Sequence, residues 1–109
     1  MTLEKILVAD DDRLIRNFIA ETLRRQGKEV TLAANGQEAI AKLEEESFDL
    51  ILSDVQMPLQ DGLTVLKKAK ALHPQTLVIL ATAFGSVESA VEAMRLGAFH
   101  YLIKPFSPE

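Results

Sequence analysis

Five short apolar runs alternate with helical patterns along the whole chain, and this alternation restricts the possible fold more than any other feature. Three of the runs are continuously apolar, which is typical of strands that are covered on both faces of a parallel sheet. The runs cover residues 6–9, 30–33, 50–52, 77–81 and 101–103. The longest is far shorter than a membrane-spanning helix requires, so we expect no membrane association.

Between these runs, apolar residues recur with the spacing of one helix face. Each pattern also has a residue that begins or ends a helix, namely Gly27, Asn35-Gly36, Asp61 and Gly97. The order β-α-β-α-β-α-β-α-β indicates an α/β fold with right-handed crossovers and helices on both faces. We predict a flavodoxin-like, doubly wound parallel sheet of five strands in the order 2-1-3-4-5, with two helices on each face.

The length of 109 residues suits one domain with a single core, spanning residues 1–109. No room remains after the last strand for a fifth helix. We therefore expect a chain that is truncated before this helix, with one face of the sheet under-covered.

Composition excludes several functional classes. Sixteen acidic residues against twelve Lys and Arg argue against direct nucleic-acid binding, since free-standing nucleic-acid binders are normally basic. The absence of cysteine excludes disulfides, thiolate metal sites and a cysteine nucleophile. Together with the absence of a signal-peptide pattern, it favours a cytoplasmic location.

Polar residues follow four of the predicted strands at their carboxyl ends, the edge at which open α/β sheets bind ligands. They are Asp10, Asp11 and Asp12 after the first strand, Asp54 after the third, Thr82 after the fourth and Lys104 after the fifth. Taken singly, these aspartates are equally typical of helix caps or solvated turns. If the carboxylates converge, however, their mutual repulsion requires a cation, and oxygen ligands favour Mg²⁺ or Mn²⁺.

Together these groups have a common chemistry. A carboxylate nucleophile, a divalent metal, a hydroxyl donor and a lysine are the groups that stabilise a phosphoryl group during transfer. The metal and the lysine would neutralise charge on the phosphoryl oxygens while an aspartate attacks in line.

Four motifs resemble those of a bacterial response-regulator receiver domain, in the same order and spacing and across essentially the whole chain. They are Ile6 to Asp12, Ser53 to Gly62, Ala81-Thr82-Ala83 and Lys104-Pro105-Phe106. Residues 97–106 are most similar to receivers of the nitrogen-regulation type, which precede an ATPase module and a DNA-binding domain.

The resemblance implies a role for each site residue. Asp54 matches the phospho-accepting aspartate, Asp11 a direct metal ligand, and Asp10 an acidic neighbour that holds the metal through water. Gln56 would give its backbone carbonyl to Mg²⁺, and Asp12 would be a bystander. Thr82 matches the switch hydroxyl, Tyr101 the switch aromatic and Lys104 the phosphate-pairing lysine, whose bond to Pro105 is usually cis.

The resemblance also implies a sensor histidine kinase as phosphoryl donor, a phosphorylation-dependent change on the fourth helix and fifth strand, and control of transcription as the output. A homodimer on phosphorylation fits the same picture, and the domain would catalyse only its own phosphorylation and dephosphorylation. Two departures from the family stand out. Leu59 occupies a position where a small residue is common, and the fifth helix is missing.

Three other functional classes share parts of this pattern. A flavin binder of similar architecture needs a Ser/Thr/Gly-rich phosphate loop after the first strand, where this chain has three aspartates. A haloacid-dehalogenase-type phosphatase carries a second Asp two residues after its nucleophile, and Gln56 stands there. The remaining alternative is a receiver-like interaction module that is never phosphorylated. Such modules usually lose an acidic ligand, the lysine or the hydroxyl, and this sequence retains all of them.

Overall fold

The structure is a computed structural model that describes residues 4–82 and 87–103. Its strands are β1 (Lys5–Ala9), β2 (Glu29–Ala33), β3 (Leu50–Asp54), β4 (Leu77–Thr82) and β5 (His100–Ile103), and its helices are α1 (Arg13–Arg25), α2 (Gly36–Glu45), α3 (Gly62–Leu72) and α4 (Val87–Arg95). The strands form one sheet in the order β2-β1-β3-β4-β5, and all neighbouring strands are parallel. The predicted architecture and strand order are confirmed.

Local side-chain bonds explain where α1, α2 and α3 begin. Asp12 accepts hydrogen bonds from the amides of Leu14 and Ile15 and thereby caps α1. Asn35 caps α2 through the amide of Glu38, whose own carboxylate accepts from Ala34 and completes a capping box. The Asp61 side chain likewise accepts from the amide of Thr64 at the start of α3.

The prediction of two helices on each face is wrong. The larger core cluster joins α2, α3 and α4 to Leu7, Ile51, Val78 and Leu80 on one face of the sheet. On the other face, the smaller cluster contains residues of only one helix among the described residues. This helix is α1, which contributes Ala20 and its neighbours.

Crossover handedness gives the physical reason. The connection from β1 to β2 runs in one direction across the sheet, whereas the next three connections all run in the opposite direction. Right-handed crossovers that run in opposite directions place their helices on opposite faces. The strand order therefore requires one helix on one face and three on the other.

The face that carries α1 is less covered in the described part of the chain. A cavity of about 230 Å³ lies over it, lined by Ile19, Leu52, Ile79 and Leu102 among others. This agrees with the expectation of an under-covered face. None of the helices in the described ranges has the length and apolar character needed to cross a membrane.

At the amino end of the sheet, Asp49 joins the starts of β1 and β3. Its carboxylate accepts hydrogen bonds from the amides of Glu4, at 3.0 Å, and Lys5, at 2.9 Å. These two backbone donors hold the pKa of Asp49 below its usual value, and the Lys5 amide has the larger effect. Lys5 also pairs with Glu46, and that hydrogen bond raises the pKa of Lys5.

Candidate functional site

The carboxyl ends of β1 and β3 bring three carboxylates together. The two strands are neighbours in a register that pairs Ala9 with Ser53, so the residues that follow lie side by side. One oxygen from each of Asp10, Asp11 and Asp54 lies within 4.8 Å of the others. Asp10 is only 3% exposed, Asp54 is half-buried and Asp11 is exposed. The predicted convergence of the acidic residues is therefore present in the structure.

A set of short bonds holds the loop that carries Asp10 and Asp11. The amide of Asp10 donates to the carbonyl of Ala33 at 3.1 Å, and Oδ1 of Asp10 accepts from the amide of Asp12 at 2.9 Å. Arg16 Nη1 donates to the Asp10 carbonyl oxygen at 2.7 Å. Asp12, which the resemblance makes a bystander, both caps α1 and closes this loop. Arg16 was not predicted from the sequence, because its role depends on how its side chain folds back over the loop.

Asp54 is fixed by the backbone that follows it. The amide of Gln56 donates to Asp54 Oδ1 at 3.1 Å, which restrains the rotation of the carboxylate. Gln56 itself is exposed. The structure thus places the Gln56 backbone beside the acidic cluster, where the resemblance assigns it a metal-binding carbonyl.

Glycine allows α3 to begin directly against Asp54. The Gly62 amide donates to the carbonyl of Val55 at 2.7 Å. A Cβ added at Gly62 would lie 2.2 Å from the carbonyl oxygen of Asp54. No residue with a Cβ therefore fits at this backbone separation. In the same loop Leu59 is 64% exposed and has a φ of 69°, a left-handed conformation that is costly for a residue with a Cβ.

The two switch candidates lie on β4 and β5, the two strands beyond β3 in the sheet order. Thr82 ends β4 and is 1% exposed. Because Asp54 pairs with Ala81, Thr82 follows one residue further along the same edge of the sheet. The half-buried Tyr101 pairs with Leu80, and its hydroxyl donates to Ser89 Oγ on α4 at 2.9 Å. Lys104 and its bond to Pro105 lie outside the described residues.

The cluster suits a small, hard divalent cation. All three converging side chains offer carboxylate oxygens, the ligand type that Mg²⁺ and Mn²⁺ prefer. Exposure of Asp11 leaves one side of the cluster open to water. Mg²⁺ characteristically combines one or two carboxylates with several waters, so the donor set fits this ion.

Sequence comparison gives a consistent family assignment. Residues 6–109 match the family described as response regulator receiver domain. The chain is 48% identical over 100 residues to the transcriptional regulatory protein ZraR of Salmonella typhimurium, covering 92% of this chain and 23% of that protein. It is 43% identical over 101 residues to the DNA-binding transcriptional regulator NtrC of the same species, covering 93% of this chain and 22% of NtrC. The chain thus spans less than a quarter of the length of these relatives.

Solved structures agree with the sequence comparison. A CheY-like receiver domain protein from Methanospirillum hungatei superposes with a TM-score of 0.93 at 37% identity, covering 98% of this chain and 86% of that one. A response regulator from Burkholderia pseudomallei, with a phosphorylated aspartic acid, calcium ion and citrate, gives 0.89 at 31% identity, with coverages of 95% and 61%. The beryllofluoride-activated NtrC4 receiver domain dimer gives 0.87 at 37% identity, with coverages of 94% and 85%.

Proposed function

Because this chain belongs to the response regulator receiver domain family, we propose that Asp54 accepts a phosphoryl group from the phosphohistidine of a sensor histidine kinase in a Mg²⁺-dependent reaction. Membership gives the chain a regulatory rather than a catalytic role in two-component signalling. The observation that carries the proposal is the close grouping of Asp10, Asp11 and Asp54 at the carboxyl edge of the sheet.

The transfer is a single displacement at phosphorus. A carboxylate oxygen of Asp54 forms the new O–P bond while the P–N bond to the imidazole breaks, and the released imidazole nitrogen keeps the electron pair. The Gln56 amide holds the Asp54 carboxylate in a fixed orientation, which lowers the cost of aligning it for attack. The product is an acyl phosphate on the protein.

Asp10, Asp11, Asp54 and the Gln56 carbonyl are the groups that we assign to hold Mg²⁺. When bound, the ion would neutralise charge on the nucleophile and on the phosphoryl oxygens. We assign Lys104, from its sequence motif, to pair with the phosphoryl group. Similarity to a response regulator with a phosphorylated aspartic acid and a calcium ion supports the assignment of Asp54 and of the metal site.

Phosphorylation then acts as a switch on α4 and β5. The phosphoryl group adds negative charge and strong acceptor oxygens beside Thr82, whose hydroxyl donates to one of them. Inward movement of Thr82 leaves space that the Tyr101 side chain fills. This movement breaks the hydrogen bond between the Tyr101 hydroxyl and Ser89. The two arrangements pre-exist, and the added charge shifts their populations.

The output surface consists of the outer side of α4 and the β5 edge, which we call the α4–β5 surface. Its α4 part exposes Val91 at 53% and Met94 at 51%, an apolar patch of the kind that protein partners cover. We propose that this surface controls homodimerisation and, through it, transcription. The similarity to an activated receiver dimer and to transcriptional regulators supports this output.

Incubation with acetyl phosphate, read by intact mass, tests the proposed function. The wild-type protein should gain the mass of one phosphoryl group with Mg²⁺ and none with EDTA. Asp54→Asn should abolish the gain, and Asp11→Asn should slow it strongly by weakening metal binding. Asp12→Asn is the matched control, since an Asn cap retains the bonds to α1 and should preserve the reaction. A wild-type protein that stays unmodified under all these conditions would favour the unphosphorylated interaction module.

Beryllofluoride tests the switch separately from the chemistry. In the wild-type protein it should shift the amide signals of residues 87–103. Thr82→Ala should still be phosphorylated but should lose those shifts, whereas Thr82→Ser, which keeps the hydroxyl, should retain them. Shifts that persist in Thr82→Ala would show that the coupling does not pass through this hydroxyl.

A further inference from the structure

We propose that Arg16 is a positioning residue for the metal-binding loop, acting through the backbone carbonyl of Asp10 to orient the carboxylate of Asp11. The inference rests on the proposed function, since it concerns the same Mg²⁺ site. It adds a residue that lies outside the motifs carrying the family resemblance.

The contacts around Asp11 define what Arg16 does. The Asp10 amide extends the pairing of β1 with β2 by donating to Ala33, whereas the Asp10 carbonyl points to Arg16 Nη1, 2.7 Å away. This bond fixes the peptide group that joins Asp10 to Asp11. On the other side of Asp11, the amide of Asp12 is held by Asp10 Oδ1. Residue 11 is therefore clamped at both of its neighbours.

Asp11 depends on this clamp because its side chain is exposed. Tight packing, which orients buried side chains, is not available to it. The direction of its carboxylate is set mainly by its backbone, and one of the bonds that fix that backbone comes from the Arg16 side chain. Groups that orient metal ligands typically contribute about 10- to 100-fold to metal affinity.

The sign of the effect separates positioning from simple electrostatics. A guanidinium close to a metal site repels the cation, so removal of the Arg16 charge alone should strengthen Mg²⁺ binding. Loss of the bond to the Asp10 carbonyl should instead weaken it. The two explanations predict changes in opposite directions.

The same helix supplies a matched control at its other end. Arg24 Nη2 donates to the carbonyl of Val30 at 3.0 Å, a bond of the same kind between α1 and the backbone, but remote from the acidic cluster. Arg24→Gln therefore removes an equivalent bond and an equal charge without disturbing residues 10–12. Arg13→Gln, at an exposed position in the first turn of α1, controls for loss of charge near the site.

The test is an NMR titration of each variant with Mg²⁺, together with amide hydrogen exchange of the metal-free protein. Arg16→Gln should raise the Mg²⁺ Kd about tenfold and speed exchange at residues 11 and 12, and Arg16→Lys should recover part of the affinity. Arg24→Gln should leave both readouts unchanged, and Arg13→Gln should leave Kd unchanged or lower it. With acetyl phosphate, Arg16→Gln should be slow at limiting Mg²⁺ and should approach the wild-type rate at saturating Mg²⁺.

Different failures have different meanings. If wild-type protein binds Mg²⁺ but Arg16→Gln binds it equally or more tightly, the positioning role is refuted and the proposed function stands. Equal weakening in Arg16→Gln and Arg24→Gln would also refute it, since the effect would then be one of general stability. If the wild-type protein binds no Mg²⁺, the proposed function itself fails.

Discussion

Replacing Gly62 with alanine should damage both stability and phosphoryl transfer, because one added carbon collides with the backbone of the nucleophile. The new Cβ would lie 2.2 Å from the Asp54 carbonyl oxygen and 2.9 Å from Val55 Cα, whereas real Cβ contacts essentially never fall below 3.0 Å. Both obstacles are backbone atoms, so no side chain can rotate away. The start of α3 and the end of β3 must separate by close to 1 Å.

The expected magnitude follows from this separation. Overpacking of this kind costs about 1–3 kcal/mol, and the better helix propensity of alanine returns roughly 0.5–1 kcal/mol. Taking the middle of each range, the net loss is about 1 kcal/mol, which lowers the Tm of a domain of this size by roughly 4–8 °C. Because the displaced atoms belong to Asp54, we expect the phosphorylation rate to fall by about 10- to 100-fold, the usual effect of a shift of this size at a reacting group.

The assay is thermal unfolding together with the rate of labelling by acetyl phosphate, measured well below the Tm of each variant. Gly27→Ala is the control: it has no neighbour within 4 Å but a φ of +83°, so it should cost about 1 kcal/mol through backbone strain alone. Gly27→Ala should label at the wild-type rate. If Gly62→Ala matches the wild-type protein in Tm, or labels as fast as Gly27→Ala, the inferred close approach to Asp54 is refuted.

Three further predictions follow from single contacts. Leu59→Gly should raise the free energy of unfolding by up to about 1 kcal/mol, since it relieves a positive φ at an exposed site. A lower free energy of unfolding, measured by urea denaturation, would contradict this. Because the folded-state pKa of Asp49 is lowered from 3.8, its contribution to stability is complete above that value and is lost as pH falls through the lowered pKa. Asp49→Asn should therefore be less stable than wild-type protein at neutral pH, with a difference that narrows in acid-unfolding measurements below pH 3.8. Ser89→Ala removes the acceptor of the Tyr101 hydroxyl, so the amide signals of residues 87–103 should move toward their beryllofluoride positions without any ligand; unchanged signals would argue against this bond as a restraint.

The five strands and the acidic cluster are predictable from the sequence because each depends on a periodic or local pattern. Apolar runs mark the strands, and the residue after each run must lie at the carboxyl edge of a parallel sheet. The distribution of the helices was predictable too, since it follows from strand order and crossover handedness together. The prediction of two helices on each face is wrong because only the connection from β1 to β2 runs in its direction across the sheet.

Other parts of the site depend on three-dimensional contacts that no pattern contains. Arg16 reaches the Asp10 carbonyl only because its side chain folds back along the loop. Ser89 meets the Tyr101 hydroxyl only because α4 packs beside β5. The importance of Gly62 follows from a close approach of two backbone segments, although its place after the cap Asp61 could have signalled a constrained helix start.

The central claim is that Asp54 carries an acyl phosphate, and reductive trapping tests it most directly. Protein labelled with acetyl phosphate and Mg²⁺ is treated with borohydride, which reduces an aspartyl phosphate to homoserine, and is then digested and sequenced by mass spectrometry. The account predicts homoserine at residue 54 in the wild-type protein and none when EDTA replaces Mg²⁺. Homoserine at Asp10 or Asp11 instead, or a phosphoryl group that resists borohydride and remains on a hydroxyl, would contradict it.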